Sequence, residues 1–402
     1  MCRGDKELRH TLPPHHISAP GRLCKGSDVS VCAWFPAPNG AGPRVPVSLR
    51  TGAFRRRGHP LRTQLLGRSG LHVTPLVLGT MMFGAWGNRD HDDCVRIIHA
   101  ALDAGINTLD AADVYAFGET EEIVGKAIKG RRDDIVLATK FCEPVGPGPV
   151  NRSGGSRRWI VRAVEDSLRR LGTDYIDVYQ MHRPDPDTDI DETLSALSDL
   201  VRSGKVRTIG SSNFPAGDLV EAQWVSDRRG HERFRSEQLS YSIFDRHAEY
   251  DALPVAERYG LGVLVWSPLN GGWLTGKYRP GSEPPEGSRA ATNADHFDFR
   301  ADDARAAKLA RIEALEAIAR DAKLTLIELA LGFVIAHRAV TAAIIGPRTM
   351  EQLESQITAA DVVLDHEILD RIDEVVAPGV NLHQTGAGDR PRALTESAYR
   401  RR

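Results

Sequence analysis

Along this chain, short apolar runs alternate with longer stretches in which apolar positions recur every three to four residues. The runs at 76–79, 108–111, 135–139, 176–180, 206–210, 236–239, 263–266 and 342–345 have the length of buried strands. Between them, 92–104, 119–129, 159–171, 191–203, 216–227 and 250–259 predict helices, a long helical tract spans 303–336, and a final helix is predicted at 362–376. The stripe of 92–104 is Val95, Ile98 and Leu102. That of 159–171 is Val161, Val164 and Leu168, with Glu165 and Arg169 four apart and placed to pair on the surface. Gly204 is a natural helix stop before the strand at 206. Ahead of the first run, 63–66 and 72–74 flank the turn Gly67-Arg68-Ser69-Gly70, which predicts a small hairpin.

Short strands separated by helices imply a parallel sheet covered on its faces. The period alone also fits an open doubly wound sheet. Eight successive units favour closure into an α/β (β/α)8 TIM barrel, which leaves no sheet edge exposed. The expected organisation is one barrel over 62–385 with an N-terminal β-hairpin and a C-terminal extra helix, then a polar tail at 386–402 that frays. Residues 1–61, with a Pro/Gly-rich stretch at 36–45 and the run Arg55-Arg56-Arg57, lack lasting periodicity. They read as a disordered leader or a start placed too far upstream, with an accessory or targeting segment as alternatives.

Of 402 residues, 41% are apolar and 26% charged, a balance that supports a buried core. A net charge of −2 supplies no field for nucleic acid, and no stretch approaches the ~20 apolar residues of a membrane helix. Five cysteines without a close pair exclude a disulfide framework or zinc ribbon and suit a reducing cytoplasm.

Unusual polar residues fall where strands end. Asp110 closes the second predicted strand, Lys140 follows the third, His182 follows the fourth, and Tyr115 lies in the loop after Asp110. In a barrel these ends share one face, so four residues distant in sequence meet in one cleft. A tyrosine there can protonate a carbonyl oxygen as charge develops. Lys140 can favour the tyrosinate, Asp110 can hold Lys140 charged, and His182 can donate a hydrogen bond to the carbonyl. Singly, each residue is more readily read as a structural group, with Asp110 capping a loop and Lys140 facing solvent. Their joint placement favours chemistry. No metal motif is present, and Asp185, Asp187, Asp189 and Asp191 read as a solvated acidic loop. Gly-rich phosphate motifs are absent, so a dinucleotide would need another mode of capture.

From Arg62 to Val376 the sequence resembles the aldo-keto reductase superfamily, in the branch related to aryl-alcohol dehydrogenases and potassium-channel β subunits. Leu66-Gly67-Arg68-Ser69-Gly70 is similar to its opening hairpin. Leu109-Asp110-Ala111-Ala112-Asp113-Val114-Tyr115 and Ile176-Asp177-Val178-Tyr179-Gln180-Met181-His182 match its catalytic blocks. The resemblance implies a tetrad of Asp110, Tyr115, Lys140 and His182, NADPH as cofactor, and a small-molecule carbonyl substrate. It further implies that Ser212, Asn213 and Gln238 hold the nicotinamide carboxamide and that Trp266 stacks on the ring. Ser267, Leu269, Gly271 and Lys277 would wrap the pyrophosphate. Gly346, Arg348, Gln352, Ser355 and Gln356 would form the adenosine and 2′-phosphate site, with Arg348 favouring NADPH over NADH. Ser355 and Gln356 depart from the acidic residue and Asn common in the pattern, and Asn270 from a small apolar residue. Trp86, Trp159, Phe117, Phe141 and Phe214 are candidate walls for aryl or medium-sized aliphatic aldehydes. The segment 281–302 is a candidate cover for the cofactor. An NADPH-binding regulatory or partner-binding role is the alternative to metabolic turnover, and a homo-oligomer is left open.

Overall fold

A computed structural model of the chain describes residues 61–279, 281–292, 299–300, 302–382 and 397–399. Eight parallel strands close a barrel in chain order: β3 (Leu76–Gly79), β4 (Thr108–Asp110), β5 (Val136–Phe141), β6 (Ile176–Met181), β7 (Val206–Ser212), β8 (Phe234–Ser240), β9 (Gly262–Trp266) and β10 (Ala342–Ile345). The helices α1 (His91–Asp103), α2 (Glu119–Ile128), α3 (Arg157–Leu171), α4 (Ile190–Arg202), α5 (Ala216–Arg229) and α6 (Ala252–Tyr259) alternate with the first strands. The closed (β/α)8 barrel follows from the eight buried runs, which no open sheet edge interrupts.

The hairpin β1 (Gln64–Leu65) and β2 (His72–Val73) forms as expected. It seals the end of the barrel where strands begin. Leu66 and Val73 pack with the inward residues Val77, Ala138, Val178, Leu264 and Ala342. Gly67 explains the glycine in the turn: at φ +54, a Cβ there would lie 2.3 Å from the Gly262 nitrogen. Asn107 accepts from the Thr74 N–H and donates to the His72 carbonyl, pinning the hairpin to the start of β4.

Several sequence expectations are corrected. The tract 303–336 is two helices, α8 (Asp302–Asp321) and α9 (Leu326–Ala336). Lys323 turns left-handed between them (φ +57), and Thr325 and Glu328 form a reciprocal cap that starts α9. Val161 is 42% exposed. The buried face of α3 is instead Trp159, Ile160, Ala163, Val164, Leu168 and Leu171. Glu165 reaches Lys205 and Arg169 reaches Asp166, so the Glu165–Arg169 pair does not form. Opposite charges of comparable reach compete on such a surface for little energy, about 0.3 kcal/mol per pair. In α1 the fully buried residues are Cys94, Ile97, Ile98 and Ala101, and Val95 and Leu102 flank them. The helix before Gly204 ends at Arg202, with Gly204 left-handed. A short helix, α7 (Arg289–Thr292), lies in the 281–302 segment. A further helix, α10 (Met350–Ile357), precedes the last one, α11 (His366–Val375), which starts at its Asp365 cap. The reading of 1–60 lies outside the described residues, as does that of the tail apart from 397–399. No described helix is long and apolar enough to cross a membrane.

Candidate active site

The strand ends bring the four sequence-assigned residues together. Lys140, on β5, is fully buried, and its amine donates to Asp110 Oδ2 at 2.6 Å, to the Ala111 carbonyl at 2.9 Å and to the Tyr115 hydroxyl at 3.2 Å. All three ammonium donors are therefore used, which fixes its direction. Tyr115 is held by an unusual turn: Ala116, Phe117 and Gly118 all take positive φ (46°, 59° and 98°) before α2 begins. Such strain marks a position the surroundings over-determine. The His182 ring stands edge-on to the Tyr115 ring, with centroids 5.8 Å apart.

The electrostatics suit a proton donor. Burial raises the Tyr115 phenol above its ordinary range, against the Lys140 charge, so it keeps its proton. Burial opposes the charge on Lys140 as well, but Asp110 and Tyr115 outweigh it and Lys140 stays protonated. Burial, aided by the Lys140 and Arg183 charges, holds His182 well below its usual value, leaving a neutral imidazole with one N–H to donate. Among the described residues its buried Nδ1 has no hydrogen-bond partner.

The nicotinamide residues predicted from sequence also line this mouth. Asn213, left-handed at φ +59, donates to Ser212 Oγ at 2.8 Å and accepts the Trp266 indole N–H at 3.1 Å. Gln238 gives its amide N–H groups to Asp110 Oδ1 at 2.8 Å and to Gln180 Oε1 at 3.3 Å, so its carbonyl oxygen is what it offers to a ligand amide. Gln180 also reaches Asp110 Oδ1, at 3.3 Å. Sequence reading missed Gln180 as part of this network. Its signal was a polar side chain in register with Lys140 on a buried strand.

On the neighbouring rim, Lys277, Arg289 and Arg348 gather as like charges. Burial, then Arg348 and Arg289, depress Lys277, while burial, then Arg348, depress Arg289. The backbone after β9 turns left-handed at Ser267, Asn270, Gly271, Gly272 and Gly276. Successive turns of this kind aim N–H groups at anions. Among the described residues, the buried Asn270 Oδ1 and Gln356 Oε1 have no hydrogen-bond partners. Three cations, turned backbone and spare amide acceptors fit a phosphorylated dinucleotide. Gln352 accepts the Arg348 N–H at 2.8 Å and thus fixes that loop, whereas the Ser355 hydroxyl is spent on its own helix. A Cβ at Gly346 would meet open space. Arg289 was missed from sequence because it lies in the polar 281–302 segment, where no periodicity singles it out.

The aromatic candidates divide. Trp86 and Phe117 flank Tyr115, Trp86 at 6.1 Å from the Tyr115 ring and 5.9 Å from that of Phe117, and both are exposed to the mouth's solvent. Phe141 stacks on Tyr179 at 4.8 Å, Phe214 packs on Phe234 and Trp159 is buried in α3, so these three are core rather than substrate walls. Asn88 joins the Trp86 loop to the phosphate rim by donating to the Arg348 carbonyl at 3.0 Å. In the acidic loop, Asp185 accepts from Gly155 N–H and Thr188 Oγ1, and Asp189 caps α4. Among the described residues no group of three or more His, Cys, Asp or Glu could hold a metal ion.

A closed parallel barrel whose strand ends join Asp, Tyr, Lys and His defines a class of oxidoreductase. Comparison of the sequence with known families agrees: the chain belongs to the aldo/keto reductase family, whose profile matches residues 75–377. It is 41% identical over 320 residues to an uncharacterised oxidoreductase, YrpG, of Bacillus subtilis, covering 77% of this chain and 94% of that protein. It is 37% identical over 323 residues to a probable voltage-gated potassium channel subunit beta of Arabidopsis thaliana, covering 77% and 95%. A putative aryl-alcohol dehydrogenase of Schizosaccharomyces pombe is 33% identical over 342 residues, covering 78% and 95%. Together these make the chain an oxidoreductase of carbonyl compounds.

Proposed function

We propose that the protein is an NADPH-dependent reductase of aldehydes and ketones, aryl aldehydes among them, acting in the cytoplasm. The observation that carries this is the Lys140 amine, held between Asp110 Oδ2 and the Tyr115 hydroxyl in a cleft that His182 shares. When bound, the nicotinamide supplies the hydride that the carbonyl carbon accepts. Tyr115 gives its proton to the carbonyl oxygen as negative charge builds there, and the Lys140 charge stabilises the tyrosinate left behind. Asp110 keeps Lys140 charged in the interior. Neutral His182 donates a hydrogen bond that orients the oxygen. Ser212, Asn213 and the Gln238 carbonyl hold the carboxamide, Trp266 meets the ring, and Lys277, Arg289 and Arg348 meet the phosphates. Trp86 and Phe117 favour flat, aromatic substrates through ring contacts. The reverse oxidation follows the same path, with direction set by the cofactor ratio.

The test is loss of reduced-nicotinamide absorbance when the full chain and NADPH meet aryl and aliphatic aldehydes. Saturable turnover supports the proposal. Tight NADPH binding without turnover across the panel rejects it, in favour of the regulatory role that the likeness to proteins named potassium channel β subunits suggests. Cofactor preference has its own test. Arg348→Met should raise the KM for NADPH roughly 10- to 100-fold, the worth of a charge-assisted bond to phosphate, and leave that for NADH unchanged. An equal change for both cofactors would place the 2′-phosphate elsewhere.

A further inference from the structure

Glu237 is a fully buried acid that the chemistry above does not use. It adjoins Gln238 in β8, and strand alternation sends the two side chains to opposite faces. Gln238 points inward to Asp110, so Glu237 points out of the barrel, behind the strand. The parallel register sets it beside Ser211 of β7. The carboxyl group receives the Ser211 hydroxyl at 2.5 Å and the Phe214 N–H at 3.1 Å, while the Asn213 N–H between them donates to the Gln238 carbonyl at 2.9 Å.

The two donors to Glu237 bracket the turn that ends β7 and presents Ser212 and Asn213 to the mouth. Asn213 is left-handed there, a conformation asparagine adopts more readily than other side chains, and the bonds on either side of it hold the turn in place. Burial pushes the Glu237 carboxyl up to about 8, and no neighbouring charge contributes among the described residues. The hold survives either protonation state. A protonated carboxyl donates to Ser211 Oγ, which can pass its own proton to the Ser236 carbonyl at 3.4 Å, and an oxygen remains for the Phe214 N–H. An acid this deep without a cation costs stability unless its hydrogen bonds serve an end, because an apolar side chain would fill the space more readily.

We infer that Glu237 is a positioning residue: from behind the barrel wall it fixes the turn of residues 211–214, and so sets the Ser212 and Asn213 side chains for the nicotinamide carboxamide. The inference rests on the nicotinamide reading of that turn. It separates the two ends of the cofactor, because Glu237 acts on the nicotinamide end alone.

The test compares Glu237→Met, Glu237→Asp and Glu237→Gln in the full chain. Dissociation constants are measured for NADPH and for 2′,5′-ADP, which carries the adenosine and 2′-phosphate but no nicotinamide. Met removes the acceptors and Asp withdraws them by one methylene, so both should weaken NADPH about 10-fold or more, the cost of an unmet buried donor. Gln keeps an oxygen at the same reach and should stay within about threefold. All three should bind 2′,5′-ADP as the wild type does. Should Glu237→Met not fold, the contrast of Asp with Gln carries the test. NADPH affinity near wild type in Met and Asp, or a matching loss for 2′,5′-ADP, overturns the inference. Wild-type protein that binds 2′,5′-ADP no more weakly than NADPH would instead remove the nicotinamide reading beneath it.

Discussion

Tyr115→Phe should lower kcat for carbonyl reduction by about 10²- to 10⁴-fold, the usual contribution of a positioned acid, while NADPH binds as before. The substitution removes one oxygen and little else. The ring still faces Trp86 and His182, and Lys140 keeps Asp110 and the Ala111 carbonyl, so neither the fold nor the cluster loses its charge balance. His182 cannot readily take over the acid role, because burial and two nearby positive charges keep its imidazole unprotonated. Single-turnover rates and fluorescence titration of NADPH separate the two effects. A variant that turns over within tenfold of wild type would mean that the proton comes from another group.

Lys140→Met should damage both activity and stability, and the reason is the partner it leaves behind. Asp110 Oδ2 would lose its 2.6 Å cation inside the barrel, leaving Gln238 and Gln180 on the other oxygen. Breaking one side of a buried ion pair costs about 3–5 kcal/mol. Urea denaturation should show that loss, and kcat should fall by at least about 10²-fold as the tyrosinate loses its stabilising charge. Adding Asp110→Asn to Lys140→Met removes the stranded charge and should restore most of the stability without restoring turnover. Recovery of activity in the double variant would show that the pair serves only to hold the fold.

The placement of the candidate site residues was more legible than the packing. Asp110, Lys140 and His182 stood out because polar residues at the ends of apolar runs have few structural uses, and barrel closure then forces them together. The helical faces were harder to read. In α3 a stripe through Val161 and one through Ile160 differ by a single position, and only the underlying strands decide between them. Phe141 adjoins Lys140 in sequence yet faces the opposite side of β5, and Phe214, just past the end of β7, turns onto Phe234, which proximity along the chain conceals. Glu237 was hidden for a related reason: an acid next to a functional glutamine reads as solvent-facing unless the helical layer outside the barrel is considered. Arg289 comes beside Arg348 from a segment without periodicity, where its neighbours come only from tertiary folding.

Among the described residues, the hairpin closes the end of the barrel where the strands begin, below a packed interior. Leu66 and Val73 stop it from below, and Gly67 lets the plug sit against the Gly262 backbone without a gap for a side chain. Under the proposed function, substrate, product and the proton that resets Tyr115 would share the mouth with the cofactor. Such a doorway imposes a queue. If the proposed function holds, the cofactor is expected to enter first and leave last, and product inhibition competitive only between the two cofactor forms would record that order.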